Sequence, residues 1–198
     1  MPVAPASADG VDTPGPAAGR IARYAQGRDY HKVIGKRLKR VVAELRRGYP
    51  AETFRPFTDA TPLSERVYGA RGGVGFHGRN TLLIHPQLGS WFLLGEIVTS
   101  ALIESSCYPT EERASCPPGC RKCIHACPTG AIYAPHRIDP RRCISYLTIE
   151  HQGAIEPELR SQMQDWVFGC DRCQEVCPLN RRVKETEVAD FRRDNAGP

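Results

Sequence analysis

Eight of the nine cysteines in this 198-residue chain fall into two runs that end alike. The first is Cys116-x3-Cys120-x2-Cys123-x3-Cys127-Pro128. The second is Cys143, a gap of 26 residues, then Cys170-x2-Cys173-x3-Cys177-Pro178. So spaced, the thiols constrain the last third of the chain more than any hydrophobic pattern does. The backbone there has to curl around something that sulfur binds.

A cubane iron–sulfur cluster offers four irons at tetrahedral corners, and each iron takes one thiolate. Two residues between cysteines let neighbouring sulfurs reach adjacent irons. The closing Cys-x3-Cys-Pro resembles ferredoxins that hold two [4Fe–4S] clusters, in which the fourth cysteine of a run ligates the other cluster. That resemblance implies a crossed assignment. Cys116, Cys120, Cys123 and Cys177 take one cluster, and Cys143, Cys170, Cys173 and Cys127 take the second. Two features depart from the usual run: the three-residue gap Pro117-Pro118-Gly119, and the distance of Cys143 from its partners. Loops can absorb both.

Tetrahedral zinc is the first alternative, since paired Cys-x2-Cys units suit it, but zinc has no use for the closing prolines or for eight thiolates in this order. Disulfides would need an oxidising compartment. Residues 1–20 lack an apolar run and a basic leader, so no secretory signal is read there. Cys107 falls outside the pattern and is read as a buried or loop thiol.

The length allows one large domain or two small ones. Hydrophobic residues make up 40% and charged residues 25%, enough for a core and too little charge imbalance for disorder. The net charge of +5 is compatible with an anionic partner without identifying one. No apolar run reaches membrane-spanning length. A soluble, cytoplasmic protein, expected to be a monomer, follows from these bounds.

Residues 1–19 are rich in Pro, Gly and Ala and are expected to be a disordered lead-in. From Tyr30 to Leu45, apolar residues recur at helical spacing, with Asp29 as N-cap and a stop near Gly48-Tyr49-Pro50. Lys32, Lys36, Arg37, Lys39, Arg40, Arg46 and Arg47 make the other face basic. It reads either as a solvated face or as a phosphate-binding stripe. Residues 53–59 read as a short strand with Pro56 marking an edge. A helix is predicted from Pro62, capped by Thr61, to Tyr68. Strands are predicted over Thr81–Ile84 and Trp91–Val98, a linker over 103–115, helices over Arg142–Glu150 and Pro157–Trp166, and a loose tail over 183–198.

Gly72-Gly73-Val74-Gly75-Phe76-His77-Gly78 places four glycines in seven residues. It precedes a strand, so it reads equally as a hairpin loop or as a ligand loop. Asp59, at a strand end beside aromatic residues, reads as a turn or cap residue. In a buried pocket, desolvation would instead make it a proton donor near neutral pH.

Six stretches taken in order carry a more specific resemblance: RIARYAQGRDYHK (20–32), FRPFTDATPLSER (54–66), GVGFHGRNTLLIHPQLGSWFLLGEI (73–97), CRKCIHACPTGAI (120–132), RRCISYLTIE (141–150) and FGCDRCQEVCPLNR (168–181). Together they resemble the epoxyqueuosine reductase family, iron–sulfur enzymes of tRNA modification that use cobalamin. The resemblance implies an α+β fold. A partial α/β cobalamin-binding domain, like nitroreductases and reductive dehalogenases, spans 20–115, and a ferredoxin-like module with two [4Fe–4S] clusters spans 116–182. It implies reduction of epoxyqueuosine to queuosine in tRNA, with electrons from an external donor passing through the clusters to cobalamin. It assigns Asp59 as proton donor. Asn80, Thr81, Ser145, Cys170 and Asp171 become cobalamin contacts, with Tyr24 and Tyr30 as further lining residues. The basic helix becomes a surface for tRNA phosphates.

The family pattern has Trp-Ile where this chain has Phe76-His77, and Lys where it has Arg79. The family also implies further residues at both ends, so a shortened form with its own activity open is expected. A ferredoxin-like electron carrier and a reductive dehalogenase relative are the alternatives. The residues ahead of Cys116, with FTDATP and GRNTLLI among them, favour the tRNA enzyme over both.

Overall fold

The computed structural model describes residues 18–59, 62–104 and 114–192. The lead-in expected over 1–19 lies almost wholly outside them, as do Thr61, Cys107 and residues 193–198. Helices and strands are mixed, and the described strands pair as four two-stranded sheets.

Helix α1 spans Tyr30–Gly48, as its periodicity predicts. The Asp29 side chain accepts from the His31 amide at 3.0 Å, occupying one of the donors a helix start leaves free. Val33 and Val42 on its inner face are buried, and the helix packs on the antiparallel pair β2 (Phe54–Phe57) and β5 (Glu96–Thr99). Phe54 is buried beneath it. Pro56 is tolerated because, among the described residues, β2 has a partner on one side only.

Helix α2 spans Glu65–Arg71, starting later and ending later than predicted. Pro62 and Leu63 stay outside the helix, and the Ser64 carbonyl accepts from Val67 and Tyr68 at 2.8 and 3.1 Å. The glycine-rich segment enters a hairpin of β3 (Phe76–His77) and β4 (Leu83–Ile84). β4 is shorter than the strand predicted from Thr81 because Thr81 sits at a φ of 68°, where no strand can run. Likewise the strand predicted from Trp91 begins only at Glu96.

The cysteine-rich part carries short elements: α3 (Lys122–His125), β6 (Ile132–Ala134) paired with β7 (Arg137–Ile138), α4 (Ile144–Ile149), α5 (Pro157–Gln162), β8 (Trp166–Phe168) and α6 (Arg172–Glu175). The helix predicted through Trp166 stops at Gln162. Gln164 adopts a φ of 56°, and Trp166 turns into a strand. That strand pairs in parallel with β1 (Arg20–Ile21). Ala22 is buried in one core with Ile144, Leu147, Leu159, Met163 and Trp166. Residues near position 20 therefore pack on the cysteine-rich part.

The tail predicted to be loose is packed as far as Arg192. Thr186 and Phe191 are buried. Asp190 receives the Arg28 amide on its carbonyl at 2.8 Å and the Arg28 guanidinium on its carboxylate at 3.0 Å. Apolar burial of one aromatic ring, about 2 kcal/mol, outweighs the charge of its neighbours.

Candidate active site

The eight cysteines line two cavities. Cys116, Cys120, Cys123 and Cys177 wall one. Cys127, Cys143, Cys170 and Cys173 wall the other, of about 320 Å³. Each cavity thus draws one cysteine from the opposite run, which is the crossed grouping implied by the ferredoxin resemblance.

Local structure explains the grouping. Helices α3 and α6 pack against each other and carry Cys123 and Cys173. Cys127 and Cys177 each lie two residues beyond their helix and precede a proline, and Pro178 opens a 3-10 turn. The extra residue in the first run is taken up by a turn. The Cys120 amide donates to the Pro117 carbonyl at 3.1 Å, and Gly119 sits at a φ of 69°, a region that favours glycine. Cys143 stands at the N-cap of α4, brought in by the 3-10 turn Pro140–Arg142.

Among the described residues, no three His, Cys, Asp or Glu side chains converge as a single metal ion requires. The sulfurs stand around a volume instead, an arrangement that fits a cubane with irons at separate corners. Burial pushes the Cys173 thiol well above its usual value and the Cys170 thiol up to about 12. Burial also raises Cys123 and Cys177. Bare thiols are therefore held protonated, and cations bound among them would displace those protons.

The second cavity is also lined by all five residues expected to contact cobalamin: Asn80, Thr81, Ser145, Cys170 and Asp171. Tyr24 and Arg66 join them, and the Arg66 guanidinium holds the Thr81 carbonyl at 2.8 Å. Leu82, Ile132, Ile138 and Ile144 make the walls apolar, so a few polar groups stand out against a hydrophobic surface, as in sites for large organic ligands. Asp171 is almost fully buried. Burial pushes its carboxyl up to about 6, against the Arg23 amide that donates to it at 2.8 Å.

Asp59 does not line this cavity. It is exposed, at a φ of 53°, in the bend that follows β2. No buried pocket surrounds it among the described residues. Its carboxylate accepts from the Tyr30 hydroxyl, and the Glu65 carboxylate accepts from its amide at 2.8 Å. His31 stands 3.6 Å away through Nε2. Tyr24 meets Tyr30 edge to face at 5.8 Å, so two phenols in contact lie between Asp59 and the cavity. His31, Glu65 and Arg66 were missed in the sequence because nothing in their spacing marks them.

The basic face of α1 borders a groove lined by Arg28, Lys32, Lys36, Arg37 and Arg40, with Asp29 and Asp190 at its edges.

Comparisons with known proteins bear on the whole constellation. Residues 116–180 match the family model for a 4Fe-4S double cluster binding domain. Residues 4–60 match the model described as epoxyqueuosine reductase QueG, DUF1730. The chain is 44% identical to an epoxyqueuosine reductase of Shewanella oneidensis, over 89% of this chain and 45% of that protein. The structure of epoxyqueuosine reductase from Streptococcus thermophilus matches at a TM-score of 0.79 and 30% identity, over 93% of this chain and 49% of that one. An epoxyqueuosine reductase crystallised with an epoxyqueuosine-modified tRNA stem loop matches at a TM-score of 0.75 and 29% identity, over 90% and 48%. The chain spans about half the length of the curated relatives it matches. Over the residues it shares with them, the chain is similar to the epoxyqueuosine reductases.

Proposed function

We propose that this chain carries the catalytic parts of an oxidoreductase that converts epoxyqueuosine to queuosine in tRNA. The observation that carries the reading is the second cavity, where four cysteines and the five expected cofactor contacts share one wall. Residues 116–182 form a domain for two [4Fe–4S] clusters, and 20–115 supply the remaining walls of the substrate and cofactor site. The protein works as a monomer in the cytoplasm with an external electron donor.

The first cluster is held by Cys116, Cys120, Cys123 and Cys177, the second by Cys127, Cys143, Cys170 and Cys173. Cobalamin would lie against Thr81, Ser145 and the Cys170-Asp171 pair, with Asn80 at the inner edge, and would supply low-potential cobalt for reducing the epoxide carbon. The apolar walls exclude water from that contact. Opening the epoxide and losing its oxygen as water consumes two electrons and two protons. The family resemblance assigns Asp59 to supply a proton to the departing oxygen, and it would do so from outside the cavity lining, where Tyr30 orients its carboxyl and Glu65 holds its backbone. The groove along α1 takes tRNA phosphates through Lys32, Lys36 and Arg40.

Anaerobic reconstitution with iron, sulfide and cobalamin, followed by an assay on epoxyqueuosine-bearing tRNA, tests the proposal. About eight irons per chain, from two four-iron clusters, with cobalamin bound and queuosine formed, is the expected result. Clusters without cobalamin binding would replace it with the electron-carrier reading.

A further inference from the structure

Asn80 lines both cavities at once and is only 3% exposed. It sits in the turn of the β3–β4 hairpin, which is tied to the cysteine-rich part on either side. The Arg79 amide points at Cys116 Sγ at 3.4 Å, and the Arg79 guanidinium donates to the Cys120 carbonyl at 2.5 Å. The His136 amide donates to the Arg79 carbonyl at 3.0 Å, and His136 Nδ1 lies 3.0 Å from the Gly78 carbonyl. The Asn80 side chain is oriented by its own chain, since Oδ1 accepts from the Leu82 amide at 3.3 Å. Turning the amide over would set two donors face to face, so the bond decides which end is nitrogen. Nδ2 is then left buried with no partner among the described residues. A buried donor without an acceptor costs about 1–3 kcal/mol, and both cavities that Asn80 lines carry cysteine sulfur.

We infer that Asn80 Nδ2 donates to a sulfur of the cluster held by Cys116, Cys120, Cys123 and Cys177, and so sets its reduction potential. The inference rests on the cluster assignment above. It gives Asn80 a role toward the first cluster beside its place in the lining of the second cavity. Two donors of one hairpin, the Arg79 amide and the Asn80 amide, then serve the same cluster. N–H···S bonds withdraw negative charge from sulfur and favour the reduced cluster, which carries one more electron.

The test is a potentiometric titration of the full chain loaded with iron and sulfide, before cobalamin is added, followed by electron paramagnetic resonance. Asn80→Asp keeps the shape and the acceptor for Leu82 but removes the donor. Asn80→Leu removes the donor without adding charge. Both variants should move the first-cluster midpoint to more negative potential, Asn80→Asp further, with the second cluster less affected. An unshifted midpoint in Asn80→Leu with both clusters intact would overturn the inference. Should the variants fail to load, the wild-type chain labelled with 15N at asparagine side-chain amides decides the matter. Its reduced first cluster should show nitrogen coupling, and none would overturn the assignment. Asn180 Nδ2 is already engaged by Ser90 and the Gln174 carbonyl. A wild-type chain that takes up no clusters would count against the cluster reading itself, a separate outcome.

Discussion

The Tyr30 hydroxyl donates to the Asp59 carboxylate, joining the first turn of α1 to the bend after β2. Burial first, and then the Asp59 carboxylate, raise the Tyr30 phenol far above its ordinary value, so it remains a donor at any pH the protein meets. Tyr24 lies against it and lines the second cavity. Burial, followed by the Asp59 and Asp171 charges, pushes the Tyr24 phenol up to about 12. Two permanently protonated phenols therefore stand between an exposed carboxylate and a buried one.

Tyr30→Phe should lower turnover on epoxyqueuosine tRNA about tenfold, the loss of one hydrogen bond to a charged group at about 1.5 kcal/mol. Iron content should stay at the wild-type level. Single-turnover rates with matched cluster loading read the effect.

Asp59→Asn should abolish turnover with both clusters retained, because the amide cannot deliver the proton. Full activity in that variant would remove Asp59 from the chemistry.

Gly89→Ala should unfold the junction between the hairpin and the second cysteine run. Gly89 sits at a φ of 58°, and an added Cβ would lie 2.0 Å from Asn180 Oδ1 and 3.0 Å from the Leu179 carbonyl. The same Oδ1 accepts from the Ser90 amide at 2.8 Å, so it cannot withdraw freely. Strain and a lost buried bond together should cost about 2–4 kcal/mol, visible as a lower midpoint in thermal unfolding.

Glu96 carries a pH dependence. Burial first, and then the neighbouring Glu65 charge, push its carboxyl from 4.5 up to about 7. The folded chain therefore holds a proton that the unfolded chain has released. The stabilisation is complete below the unfolded value and is lost as pH rises through about 7. Glu96→Gln should flatten the fall in thermal midpoint between about pH 5 and pH 8, the window that the shift itself defines.

Loading with iron and sulfide should raise the unfolding midpoint, because ligands that bind only the folded chain stabilise it. The gain should grow with pH, since the raised thiols of Cys170 and Cys173 must lose protons to bind. Unfolding curves of loaded and chelator-stripped chains at two pH values check both statements.

The sequence exposed its local order well. α1 follows from a 3.6-residue apolar period and the Asp29 cap, and both were legible because they depend on neighbours only. The division of the cysteines between two cavities follows the crossed order that the ferredoxin resemblance implies, because each run closes on a cysteine placed beside the other run. The end of α5 was not legible, since the long-range strand partner of Trp166 overrides its local propensity, and α2 starts at Glu65 with Pro62 left outside it. Trp166 is a strand residue because Arg20 pairs with it, which no window around position 166 contains. The packed tail was missed for the same reason: Phe191 is one aromatic ring in a charged stretch. Asn80 was read as a pocket residue, and its place between two cavities depends on a hairpin turn held from outside by His136.

The parallel pairing of β1 with β8 sets a schedule for synthesis on the ribosome. Arg20 emerges long before Trp166, and at about 5–20 residues per second the wait is roughly 7–30 s. During that time the apolar face around Ala22 has no core to join. Strand β1 can dock only once Met163 and Trp166 have emerged, after the first cysteine run and Cys143 have left the tunnel and before the segment around Phe191 arrives.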